Sequence, residues 1–237
     1  MIDALPDLGA FFAGVAATLP EDPRGEDGPA ALTAQTLPAP PAALRVAGLR
    51  ATWFWHWYED SPAEHVSLEV DKPALRALGL LILATLLHPE VGPVTLHLDP
   101  TGADDGERRH VIDRLVVAPR VDADDAVGLV VRPRAFNYWP RALDKHPWFD
   151  ERPAPDELPV ITLRATDWAL DELDGRHEAV GFGAPRPAAR FAALCLDASR
   201  PGNDRLEIVL EGEQGFRGVG VGSAELTLWL PGSFGYG

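Results

Sequence analysis

The chain has 237 residues, 46% of them hydrophobic, which suits one compact unit with a sizeable core and excludes wholesale disorder. Its formal net charge of −15 and pI near 4.8 oppose binding to phosphate backbones or anionic membranes and favour a basic or neutral partner. A single cysteine, Cys195, rules out an intrachain disulfide and a cysteine-rich metal site, and fits a reducing, cytoplasmic setting.

Lysine occurs only at Lys72 and Lys145, while arginine, alanine, glycine and proline are plentiful, a bias typical of GC-rich coding that can account for part of the charge imbalance. Leu5, Leu8, Phe12, Val15 and Leu19 recur at helical spacing, so a short amphipathic helix is predicted to end before Pro20. Acidic Asp3 and Asp7 precede its apolar patch where a secretory signal would carry basic residues, so no signal peptide is expected. From Pro20 to Pro41 six prolines stand among Gly, Ala and acid, which predicts a linker or surface loop. The division expected is thus 1–19 for an N-terminal helix, 20–43 for the proline-rich connection, and 44–237 for one α+β domain.

Leu49 to Tyr58 has the clearest strand pattern, with Trp53, Trp55 and Trp57 on one face and Arg50, Thr52 and His56 on the other. A turn at Glu59 to Pro62 should lead into a second strand ending at Val70, completing a hairpin. The next stretch organises the chain: Asp71 and Pro73 mark a helix start, and leucines lie nearly all round the run from Leu75 to Leu87 before His88 and Pro89 end it. This predicted helix, 73–88, is shorter than the roughly 20 apolar residues of a bilayer span and carries Arg76, so it reads as a core helix.

After a turn at Gly92 and Pro93, Val94, Leu96 and Leu98 alternate with Thr95 and His97, and His110 to Val117 supplies a hairpin partner. Further expectations are a strand at Val127 to Val131, loop from Arg141 to Pro159, a strand at Val160 to Arg164, a short helix after Asp167, and another from Pro187 to Ala198. Strands at Arg205 to Glu211 and Ala224 to Leu230 should close the chain as a hairpin. The fold class predicted is α+β, a largely antiparallel sheet of hairpins packed against the one buried helix, 73–88, with short peripheral helices.

Catalytic signatures are sparse. His177 and Glu178 open like a zinc-protease helix motif, but Gly181 stands where the second histidine belongs. Gly218, Gly220 and Gly222 lack the third glycine and following helix of a dinucleotide fingerprint. Cys195, in an alanine- and leucine-rich segment, reads as a small buried hydrophobe despite Asp197 nearby. No cofactor is expected.

One metal-like constellation stands out: His97 and Asp99 share a strand face, with His110 and Asp113 across the predicted hairpin, a donor set that suits zinc. Because His110 and Asp113 differ by an odd number, they can share a face only if the strand is bulged. Tyr138, Trp139, Trp148 and Phe149 flank proline-rich sequence and lack the alternation that would bury them in a sheet, which makes them candidate protein-binding anchors. Two functions follow. The first is a non-catalytic acidic module, of an immunity or accessory type, that covers a basic protein partner; the alternative is a metal-dependent hydrolase using His97, Asp99 and His110.

Overall fold

The computed structural model describes residues 4–19, 32–58, 61–98, 110–119, 160–165, 177–183, 207–210 and 225–230, and most of 188–201. Helix α1, Leu8–Thr18, begins three residues later than the leucine spacing suggests, because Asp7 caps it: its carboxylate accepts the Ala10 N–H at 3.0 Å. Helix α2, Lys72–Leu87, is capped in the same way by Asp71, which accepts from the Ala74 N–H at 2.7 Å, with Pro73 in the first turn.

The strands are β1 (Ala43–Val46), β2 (Leu49–Tyr58), β3 (Ser61–Val70), β4 (Val94–Leu98), β5 (His110–Pro119), β6 (Val160–Ala165), β7 (His177–Gly183), β8 (Glu207–Leu210) and β9 (Glu225–Trp229). They form one sheet with the path β1-β4-β5-β2-β3-β9-β8, while β7 joins β5 and carries β6. The hairpins expected for β2 with β3, β4 with β5 and β8 with β9 are all antiparallel ladders.

The sheet as a whole is mixed, which corrects the expectation of a largely antiparallel sheet of hairpins. β1 runs parallel to β4, β3 parallel to β9, and β5 parallel to β7. The reason is physical: a hairpin announces itself through a short turn between two alternating runs, whereas a parallel pair needs a long crossover that leaves no local mark. Two strands are also new. β1 is four residues long and follows Pro40 and Pro41, and β7 contains the His177–Gly181 stretch whose first two residues hinted at a helical motif.

Burial follows the pleat. Leu44 and Val46 on β1, Val94, Leu96 and Leu98 on β4, and Leu49 and Ala51 on β2 enter the core, and Arg45, Thr95, His97 and Arg50 alternate with them. On β5 the ladder with β7 slips by one residue between Ile112 and Arg114, and the buried set changes phase there, from Ile112 to Leu115 and Val117. Asp113 sits at this bulge.

Helix α2 is enclosed. Every residue from Ala77 to Leu87 is buried, and Thr85 satisfies its hydroxyl by donating to the Ile82 carbonyl at 2.8 Å. Helix α1 packs on it through Leu8 and Phe12, and a helical segment within 188–198 crosses it at Gly79. A Cβ on Gly79 would stand 2.8 Å from the Ala192 carbonyl oxygen and 3.2 Å from Cys195 Cβ, so glycine lets the two backbones approach. The Lys72 ammonium donates to the Arg200 carbonyl at 3.3 Å, which makes that segment antiparallel to α2. At the other edge of the core, Gly48 adopts φ 75°, and its carbonyl accepts the Asp71 N–H at 2.9 Å, joining the β1–β2 turn to the start of α2.

Within the proline-rich connection, residues 20–31 lie outside the described residues. Leu32 and Leu37 are buried in the common core, and α1 is tied to β1 by the Arg45 N–H donating to the Pro6 carbonyl at 3.0 Å.

Candidate functional site

His97 lies near the end of β4, on the sheet face turned away from α2, because its neighbours Leu96 and Leu98 fill the core. The register sets Arg45 of β1 on one side of it and Arg114 of β5 on the other. Residues paired across adjacent strands share a face, with strands about 4.8 Å apart. The face therefore carries a row of Arg45, His97 and Arg114, continued by the backbone register to Glu178 on β7 and Arg164 on β6. Arg45 is exposed and His97 and Arg114 are half-buried.

His110, the second histidine of the sequence-derived metal set, pairs with Trp53 of β2 at the far end of β5. Four residues separate it from Arg114, about 13 Å of extended chain at roughly 3.3 Å per residue. Asp99 lies outside the described residues. Asp113 lies at the bulge in β5, and its Oδ1 is 3.9 Å from the Arg114 Nε. Among the described residues no group of three or more His, Cys, Asp and Glu side chains is gathered as a metal site would need. Tyr138, Trp139, Trp148 and Phe149 lie outside the described residues, as do the segments 120–159 and 166–176 in which several loop and helix expectations fall.

Cys195 is fully buried, and loss of solvation pushes its thiol well above the usual range, outweighing the opposing hydrogen bond to its backbone. A nucleophile needs the thiolate, so Cys195 serves as a small apolar side chain against Gly79.

The remaining polar pairs are modest. Arg50 and Glu69 face each other across β2 and β3 at 3.9 Å with about half of each side chain exposed, a geometry of little energetic weight. His88 is better placed: its Nε2 is 2.7 Å from the Leu37 carbonyl and its Nδ1 is 3.2 Å from the Glu90 carboxylate. Sequence reading took His88 as a helix stop and missed this contact, because nothing local links residue 37 to residue 88.

Charge is unevenly divided between the framework and its connections. The described residues hold nine of the 36 acidic side chains and seven of the 21 basic ones, so nearly all the acid excess belongs to the other segments. No helix among the described residues is long and apolar enough to cross a membrane. No protein-family model, curated protein or solved structure matches the chain.

Proposed function

We propose that the protein is a non-catalytic binding module that covers a basic surface on another protein, in the manner of an accessory or immunity-type partner. The observation that carries this reading is the charge division: a nearly balanced framework whose connecting segments together hold the excess acid, most densely in 20–31 and 166–176, each with four acidic residues against one arginine. Opposite net charges steer encounter, and aromatic side chains at the centre of an interface hold the complex once formed. Tyr138, Trp139, Trp148 and Phe149 are the anchors assigned, in the longest of those segments. The same acid excess repels nucleic acid and anionic lipid. One cysteine, unable to form an intrachain disulfide, suits the cytoplasm.

The alternative reading, a metal-dependent hydrolase using His97, Asp99 and His110, has to place a dication beside the Arg114 guanidinium that flanks His97. Metal content of the purified protein separates the two readings. For the binding function the test is kinetic. With the partner that co-purifies from the native host, association should slow as salt rises toward 0.15 M, where the Debye length falls to about 8 Å, while dissociation changes little. Trp148→Ala should speed dissociation at every salt concentration. An association rate indifferent to salt would sink the electrostatic part, and a dissociation rate indifferent to the mutation would sink the choice of Trp148.

A further inference from the structure

We propose that the outer face of β1, β4 and β5 binds a phosphate monoester of a small organic molecule, held by Arg45, His97 and Arg114 beside a floor of Ala43, Thr95 and Val116. Register places the three donors in one row, Arg45 opposite His97 and His97 opposite Arg114. Neighbouring strands lie about 4.8 Å apart, so the two arginines are rooted about 10 Å from each other with the imidazole midway. Two residues along, on the same face, the same strands carry Ala43, Thr95 and Val116, again paired in register. The rows are roughly 7 Å apart, and all three residues of the second row are half-buried. Long cationic side chains beside short ones make a step: the arginines form its wall, and Ala43, Thr95 and Val116 its floor.

The donor set selects the ligand. A planar carboxylate is satisfied by the fork of one guanidinium, which leaves the second arginine without a role. A phosphoryl group offers three acceptor oxygens and a charge of about −1.5 to −2 near neutral pH, enough to engage donors from both sides of the row at once. The His97 imidazole donates at least one N–H in either charge state, and the Thr95 hydroxyl can donate from the floor. Ala43 and Val116 present apolar surface to the organic part. Two described carboxylates stand near, both outside the span from Arg45 to Arg114. Asp7 is bridged to Arg45, but its carboxylate caps α1 at the Ala10 N–H. Asp113, 3.9 Å from the Arg114 Nε, competes with the ligand for that guanidinium, so Arg45, the exposed member of the row, contributes most. The net charge of −15 opposes any anion at long range, but at about 0.15 M salt that field is screened beyond about 8 Å and the local donors decide. The site is independent of the partner-binding reading, which rests on other segments.

The test is an NMR titration of the full chain with phenyl phosphate at about 0.15 M salt, followed at the His97 ring, with benzoate as the carboxylate probe. Phenyl phosphate should shift the His97 signals saturably and bind more tightly than benzoate. Arg45→Gln, on an exposed side chain, should weaken binding on the order of tenfold, the loss of one charge-assisted bond, and keep the parent's unfolding midpoint. Asp113→Asn, which removes the competing carboxylate, should tighten it. Arg50→Gln makes the same change of charge on β2, where Arg50 faces Glu69, and should leave binding as it is in the parent. His97 signals that ignore phenyl phosphate, benzoate bound as tightly, or a loss in Arg50→Gln equal to that in Arg45→Gln would each overturn the site.

Discussion

Helix α1 has no charged residue among its 11, whereas α2 carries Lys72 and Arg76 among its 16, yet α1 is the helix that faces solvent. Leu8 and Phe12 alone are buried in α1, against thirteen residues in α2. The difference lies in side-chain size. The exposed positions of α1 are Gly9, Ala10, Ala13, Gly14, Ala17 and Thr18, which present little apolar area, while α2 is packed with leucine on every side. An apolar composition made of small residues can form an outer layer, and one made of large residues has to be enclosed. α2 accordingly lies between the sheet on one side and α1 with the 188–198 segment on the other.

The contrast is most sharply tested by truncating one side chain in each helix. Ile82→Ala should cost about 2 to 5 kcal/mol, because the site is buried between layers. Val15→Ala, half-buried on α1, should cost about 1 kcal/mol or less. Equal costs in urea unfolding would erase the distinction between the two helices. The caps offer a smaller version of the same comparison. Removing the carboxylate of Asp71 or Asp7 should cost roughly 0.5 to 2 kcal/mol, with Asp71→Ala at the upper end because the Asp71 carboxylate accepts the shorter, part-buried bond, at 2.7 Å against 3.0 Å for Asp7. A costlier loss at Asp7 would show α1 to be the more tightly held element.

Proteolysis probes the connection between them. Trypsin should cut first near Arg24, in the proline-rich stretch, and before any site in 49–98. The nicked N-terminal piece should stay bound to the rest, since Leu8 and Phe12 belong to the common core. Release of that piece on nicking would mean that α1 contributes little to the packing.

What could be read from the sequence was what local chemistry decides. Asp71, Pro73 and the leucines of α2 define a helix without reference to anything distant, and the alternation in β2, β4 and β9 does the same for strands. What could not be read was decided by remote partners. The parallel pairing of β1 with β4 joins residues on either side of two strands and a helix, and β3 meets β9 across most of the chain. The strand β7 was obscured by Gly181 and Gly183, residues that weaken a strand taken alone but cost little when β5 and β6 pair on both sides. The candidate site shows the same division. The alternation of Val94, Leu96 and Leu98 put His97 on the face opposite the core, but no local signal indicated that Arg45 and Arg114 would flank it or that the β5 ladder would shift between Ile112 and Arg114.

The most direct measurement is the pair of glycine substitutions Gly79→Ala and Gly14→Ala, compared by urea unfolding. Both sit inside helices, so alanine gains up to about 1 kcal/mol of helix propensity at each. At Gly14 the new methyl meets nothing within 4 Å, and the variant should be more stable than the parent by roughly 0.5 to 1 kcal/mol. At Gly79 it meets the Ala192 carbonyl at 2.8 Å, and overpacking of about 1 to 3 kcal/mol should outweigh the propensity gain and leave the variant less stable. Opposite shifts in the two unfolding midpoints are the result expected of an enclosed α2 and an outer α1. A stabilised Gly79→Ala would contradict the enclosure of α2 at its closest contact.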